Sequence, residues 1–289
     1  MRYEGVIYRP PSEARSLIVQ VTIGCSHNRC IFCSSYQGKI FRIRKMDEIF
    51  EDFEMARRFY GKVRRIFLAD GNALVLKTDD LKKILEKIKE LFPECERVAT
   101  YGAPKDILGK TVEELKLLRE LGLKIIYLGV ESGSDEILEF IQKGVTSAQM
   151  VEAGKRVVQS GIDLSVTLIS GLGGKEKWRE HARESARVMN EINPQYIGLL
   201  TLMVEPGTVL YEKVRRNEFQ LLTPKEVMME TREFLQHIEV KDCVFRSNHA
   251  SNYVALGGTL PQDKERLLAL LDELIRSDYQ GKPEFLRML

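Results

Sequence analysis

Leu17-Ile-Val-Gln-Val-Thr-Ile23-Gly-Cys25-Ser-His-Asn-Arg-Cys30-Ile-Phe-Cys33 decides how this chain is read. The first seven residues are apolar and β-branched at a density that predicts a buried strand. Directly after it, a polar loop carries three thiols within nine residues. Comparable strand-like runs recur at 65–69, 97–101, 125–129, 164–169 and 196–202. Between them lie helical patterns: Leu81, Ile84, Leu85, Ile88 and Leu91 repeat at three- and four-residue steps, and Val112, Leu115, Leu118 and Leu121 every three. Gly122 and Gly161 stand where helix stops are expected. Six strand–helix units imply an α/β fold with parallel strands, because parallel neighbours need helical crossovers. Six are too few for an eight-stranded barrel, which leaves an open sheet or a partial barrel.

The remainder of the chain sets bounds on function. Its 289 residues carry 44 Lys+Arg against 42 Asp+Glu, so a net charge of +2 exerts no global pull on nucleic acid or acidic surfaces. No apolar run approaches the roughly 18 residues a membrane span requires. The N-terminal stretch is charged and proline-bearing where a signal peptide needs apolar residues, so a cytoplasmic protein is expected. The five cysteines are an odd number, which argues against a closed disulfide framework.

The three crowded thiols admit several readings. A zinc site would take them with His27, although structural zinc more often uses two separated ligand pairs. A redox pair would use Cys30 and Cys33 and leave Cys25 idle. An iron–sulfur cubane would take three thiolates and leave one iron for an exogenous ligand, since four thiolates are the usual complement. Three unligated thiols packed in the loop are the remaining alternative. The other strand ends bear on the choice. Asp70-Gly-Asn72, Gly102-Ala-Pro-Lys105, Glu131-Ser-Gly133 and Ser170-Gly-Leu-Gly-Gly174 follow successive strands. Ordinary turn chemistry accounts for any one of these glycines. Together on the rim that bears the cysteines they point to a small-molecule ligand, because sites in such folds gather at the carboxyl ends of strands. Glu131 stands where a carboxylate would grip ribose hydroxyls, although Ser134 and Asp135 also suit a helix start.

On these segments the sequence resembles the radical S-adenosylmethionine (SAM) superfamily over roughly residues 15–205, most closely the group of oxygen-independent coproporphyrinogen oxidase and the Elongator catalytic core. The resemblance implies a partial (β/α)6 barrel, TIM-like, to which the helical patterns beyond residue 205 add a C-terminal helical extension. It further implies one [4Fe–4S] cluster on Cys25, Cys30 and Cys33, with SAM on the open iron. Reductive cleavage would give a 5′-deoxyadenosyl radical that abstracts hydrogen from a substrate. By the family's motifs, Phe32 lies beside adenine, and Asp70, Gly71 and Asn72 hold the methionine amine. Glu131 and Ser132 face ribose, Ile169, Gly171 and Gly174 line the adenine side, and Lys143 or Arg156 meets the methionine carboxylate. Three features depart from the common pattern. Four residues rather than three separate Cys25 from Cys30, Asn72 replaces a Glu, and Thr167 replaces a Gly.

The expected organisation is an N-terminal arm (1–14), a core (15–205) and an extension (206–289) that caps the substrate. Helical patterns at 223–239 and 261–277 flank a polar segment in which Asn248 and His249 are candidate substrate contacts. Cys95 and Cys243 have no partner at ligand spacing and are expected to be unligated. Trp178, His181 and His237 are expected on amphipathic surface faces, and the basic residues of 42–45 and 57–65 on a solvated face. The reading is an oxygen-sensitive radical SAM enzyme, with oxidation or rearrangement favoured over methyl or sulfur transfer. A small-molecule substrate and an external electron donor such as flavodoxin or ferredoxin are expected, with nucleic acid not indicated. A protein that carries a metal or cofactor without turnover is the contrasting expectation.

Overall fold

The computed structural model describes residues 1–288, whose contacts divide into two units. Unit 1 comprises 1–28, 35–128 and 156–164; unit 2 comprises 29–34, 129–155 and 165–289, of which Leu289 falls outside the described residues.

Unit 1 runs through β1 (Leu17–Gln20), β2 (Thr22–Ile23), β3 (Arg42–Ile43), α1 (Met46–Phe59), β4 (Arg65–Ala69), α2 (Thr78–Leu91), β5 (Arg97–Gly102), α3 (Pro104–Leu108), α4 (Val112–Glu120) and most of β6 (Leu123–Glu131). Strands β1, β4, β5 and β6 lie in that order and all pair in parallel. The expected first strand is interrupted at Val21, beyond which β2 pairs with β3 in a separate two-stranded sheet. Four of β4's five residues are buried, as a strand covered on both faces requires. One face meets a cluster of Phe67, Ala69, Ala99, Ile125 and Tyr127, closed by Ile7 of the N-terminal segment. The Tyr127 hydroxyl donates to the wholly buried Glu13 carboxylate at 2.6 Å, and Arg97 pairs with the same carboxylate. Helix α2 buries the stripe Leu81, Ile84, Leu85 and Ile88 that its periodicity predicts. Gly122 and Gly161 adopt φ of 115° and 77°, the left-handed backbone expected of helix stops.

Unit 2 continues with α5 (Asp135–Phe140), the first part of α6 (Ser147–Ser160), most of β7 (Asp163–Ser170), α7 (Gly174–Ile192), β8 (Tyr196–Thr201), α8 (Val209–Arg215), α9 (Pro224–His237), β9 (Cys243–Ser247), β10 (Leu256–Leu260) and α10 (Lys264–Arg276). Strands β7, β8 and β9 are parallel neighbours, and β10 returns antiparallel to β9. The α/β class, the parallel strands and the two C-terminal helices are as expected. The extension also contains β9 and β10, a pair the helical expectation did not include. Thr223 and Glu226 form a reciprocal capping box that starts α9 one residue later.

Two surface expectations are corrected. His181 is buried at 2% exposure, because Glu230 on α9 offers its ring a carboxylate. Arg44, in the basic stretch, is buried against Asp52 at 2.8 Å and the Gln20 carbonyl, so its charge is neutralised rather than solvated. Trp178 is half-buried against Leu222, Val227 and Tyr253, whereas His237 is exposed as expected. Among the described residues no helix is long and apolar enough to cross a membrane.

Candidate active site

In unit 1 the triplet after β4 builds the start of the cysteine loop. Asp70 is fully buried, and its Oδ2 accepts from the Gly24 amide at 3.1 Å, from Gln20 at 3.4 Å and from the Lys39 ammonium at 2.9 Å. Gly71 donates its amide to the Gly24 carbonyl at 3.0 Å. Asn72 accepts from the Ser26 amide and donates to the Ser26 hydroxyl at 2.7 Å, with a second donation to Asp106. Burial raises the Asp106 carboxyl above the usual carboxylate range, against that Asn72 bond. The side chains of Asp70 and Asn72 are therefore engaged in shaping the backbone on both sides of Cys25. Gly71 allows close approach there: a Cβ would lie 2.8 Å from the Cys25 Cα.

In unit 2, Cys30 and Cys33 bracket a turn in which the Cys33 amide donates to the Cys30 carbonyl at 3.2 Å. Ile31 pins that turn. Its side chain is buried, its amide donates to the Ile141 carbonyl, and its carbonyl accepts from Leu210. Half-buried Phe32 completes the turn. All three loop cysteines are partly exposed and outside any disulfide. Among the described residues no group of three or more His, Cys, Asp or Glu is placed to hold a single metal ion. Cysteine sulfur is the soft donor that iron–sulfur clusters take, and each of the three is partly exposed, with glycine backbone beside Cys25.

Two strand ends in unit 2 carry the remaining candidates. Glu131 closes β6 at φ 66°, an unusual backbone for a non-glycine residue. Its carboxylate, 12% exposed, pairs with the Lys143 ammonium at 2.9 Å. The Ser132 hydroxyl accepts from the Ser134 amide, and Ser134 caps α5, as its position suggested. At the end of β7 the Ser170 hydroxyl donates to Glu230, and the Gly171 amide donates to the same Oε2 at 2.7 Å. Ile169 is half-buried beside them. Gly174 begins α7 at φ 56°, with the Phe219 ring and the Gln220 carbonyl about it. Of the two cations expected at the methionine carboxylate, Arg156 belongs to unit 1, where it donates to the Leu108 and Lys110 carbonyls at 2.8 and 3.0 Å. Lys143 stands beside Glu131.

The C-terminal segment docks on β8. Asn248 is exposed and His249 half-buried, its ring nitrogen turned to Ser251 at 2.9 Å. Burial and the Lys282 charge pull the His249 pKa below the usual histidine range. Ser251 and Asn252 make the deeper contacts. The Ser251 hydroxyl accepts from the Thr201 amide, while Asn252 bonds the Leu199 carbonyl and the Thr201 hydroxyl, both at 2.8 Å. Buried Arg287 donates to the Ser251 and Leu202 carbonyls and lies 4.1 Å over the Tyr253 ring. Sequence reasoning missed Ile31, Glu230 and Arg287, placed His181 on the surface, and singled out the polar segment 246–252 without its anchors Ser251 and Asn252. The apolar Ile31 inside a polar loop was the one local signal; the others act through partners distant in sequence.

Comparison with known proteins matches residues 19–186 to the radical SAM superfamily, more than half of the chain. An uncharacterized methyltransferase of Pyrococcus horikoshii is 27% identical over 209 residues, covering 71% of this chain and 43% of that protein. The heme chaperone HemW of Bacillus subtilis is 22% identical over 218 residues, covering 73% and 56%. The chain thus spans about half the length of these curated relatives. Among solved structures, coproporphyrinogen III oxidase of Escherichia coli superposes with a TM-score of 0.56 at 17% identity, covering 76% of this chain and 52% of that one. The likeness to coproporphyrinogen oxidase and the Elongator core therefore holds in fold. With a [4Fe–4S] cluster and SAM as the cofactors of its family, the chain belongs to the radical SAM superfamily.

Proposed function

We propose that Cys25, Cys30 and Cys33 hold the cluster, and that the protein uses SAM to oxidise or rearrange a small molecule. When bound, the cluster and SAM supply reductive cleavage to methionine and a 5′-deoxyadenosyl radical that abstracts hydrogen. One electron per cleavage comes from an external donor of the flavodoxin or ferredoxin class. The chain's own residues bind and orient. Asp70, Gly71 and Asn72 hold the backbone about Cys25, and Ile31 anchors the turn of Cys30 and Cys33. The Glu131 carboxylate accepts from ribose hydroxyls, with Lys143 orienting it. Ser251 and Asn252 fasten the extension to β8, which leaves Asn248 and His249 to meet substrate. The observation that carries this reading is the trio of undisulfided, partly exposed thiols in one loop of the family-matched region.

The test is anaerobic reconstitution with iron and sulfide, followed by dithionite and SAM. The expected outcome is visible absorbance that bleaches on reduction, together with 5′-deoxyadenosine. Cys30→Ala abolishes both and Cys95→Ala preserves both. Stoichiometric zinc without deoxyadenosine would establish a non-catalytic carrier instead. The methyltransferase relative favours methyl transfer as a second reading, for which methylated product with S-adenosylhomocysteine would be the signature.

A further inference from the structure

Two buried titratable side chains of unit 2 have no part in the site as described so far. His181 and Glu230 are each 2% exposed, on α7 and α9. The His181 Nδ1 lies 2.8 Å from Glu230 Oε1, and its Nε2 lies 3.2 Å from the Glu131 carbonyl. Both ring nitrogens therefore face acceptors. A neutral imidazole has one N–H, so beside a Glu230 carboxylate only the doubly protonated, cationic ring satisfies both. The other Glu230 oxygen accepts from the Ser170 hydroxyl and the Gly171 amide. A single chain of hydrogen bonds thus runs from the end of β6, through His181 and Glu230, to the end of β7.

One residue it grips needs holding. Glu131 has φ of 66°, whereas Gly171 at 95° is a glycine that takes this backbone freely. A backbone at positive φ persists in a non-glycine residue only where its surroundings impose it. Burying two charges is costly unless both are fully bonded, and a fully apolar replacement is often no less stable. Stability alone is thus a weak reason for an ion pair at this place. Resting on the reading that these strand ends receive SAM, we propose that His181, held as an imidazolium by Glu230, is a positioning residue that sets the Glu131 backbone for the adenosyl group.

The test separates the two ring contacts. A glutamine amide nitrogen reaches the Nε2 position and an asparagine nitrogen the Nδ1 position. His181→Gln therefore retains donation to the Glu131 carbonyl, whereas His181→Asn retains only the Glu230 side. SAM affinity is measured by equilibrium dialysis on reconstituted protein without reductant, beside circular dichroism and iron content. His181→Asn is expected to weaken SAM binding by about tenfold, the effect of roughly one hydrogen bond. His181→Gln is expected to stay close to wild type, and iron content to be equal in both. Equal SAM affinity in the two folded variants would overturn the proposal. If His181→Asn does not fold, nitrogen NMR of the wild type and of Glu230→Gln decides. Two protonated ring nitrogens in the wild type at neutral pH, and a neutral tautomer in the variant, are expected; a neutral ring in the wild type refutes it without SAM. Wild-type protein that binds no SAM at all would instead sink the reading on which the proposal rests.

Discussion

Gly71→Ala tests whether the backbone after β4 sets the cysteine loop. The added Cβ would lie 2.7 Å from the Gly24 carbonyl oxygen, 2.8 Å from the Cys25 Cα and 2.9 Å from its Cβ. None of these atoms can rotate away. The loop is also pinned on both sides, by Asp70 on the Gly24 amide and by Asn72 on the Ser26 amide. Relief therefore requires the backbone at Cys25 to move by roughly 0.6 Å to reach ordinary contact. Overpacking of this kind costs about 1–3 kcal/mol, which lowers the melting temperature by about 2–6 °C in a chain this long. The thiol moves with the backbone, and metal–ligand bonds tolerate only about 0.2 Å. Reconstituted Gly71→Ala is thus expected to carry well under the wild-type iron and acid-labile sulfide per chain. Gly61→Ala is the control, because nothing lies within 4 Å of its added Cβ. Wild-type iron, sulfide and melting temperature in Gly71→Ala would show that the loop is not set by this contact.

Other perturbations probe the rest of the chain. Arg287→Ala removes charged donors from the buried Ser251 and Leu202 carbonyls, a loss on the order of 3 kcal/mol; amides of 249–253 should exchange faster by hydrogen-exchange mass spectrometry, and unchanged protection would exclude a clasp. Burial pushes the Cys243 thiol up to about 12, so iodoacetamide at pH 8 should modify it only after unfolding, whereas labelling of the native protein at the rate of partly exposed Cys33 contradicts its placement. Burial pulls the His181 pKa down, but the charge and hydrogen bond of Glu230, the Glu131 carbonyl and nearby Glu180 outweigh it and leave it raised. A raised folded-state pKa stabilises below the ordinary value of about 6.5 and loses that contribution as pH climbs through the higher folded value. The melting-temperature advantage of wild type over His181→Gln should therefore shrink on the alkaline side; a difference constant from pH 6 to 9 would contradict an imidazolium.

What the sequence disclosed depended on how local the determining interaction is. Strand β4 reads as a strand because nearly all of its residues are buried and apolar. The cysteine trio is legible because its members share one loop. Strands β9 and β10 are weak by the same measure. Leu256-Gly-Gly-Thr-Leu260 carries two glycines that no propensity argument would place in a strand, and it pairs because β9 supplies the ladder. One glycine is there for space, since a Cβ on Gly258 would lie 2.6 Å from the Asp263 side chain. The site divides likewise. Asp70-Gly-Asn72 is recognisable by position, but nothing local shows that its side chains turn back upon the cysteine loop, 46 residues earlier. His181 lies in a helix whose neighbours are mostly charged, so its surroundings in sequence describe a solvated face. Its burial is decided by Glu230, 49 residues further on. That long-range pair is also what meets the Glu131 carbonyl and the Gly171 amide, the first at a positive φ that is unusual for a non-glycine residue. The local motif thus supplies the candidate groups, and contacts remote in sequence hold them in shape, which is why motif spacing located the strand ends but not the residues that hold them.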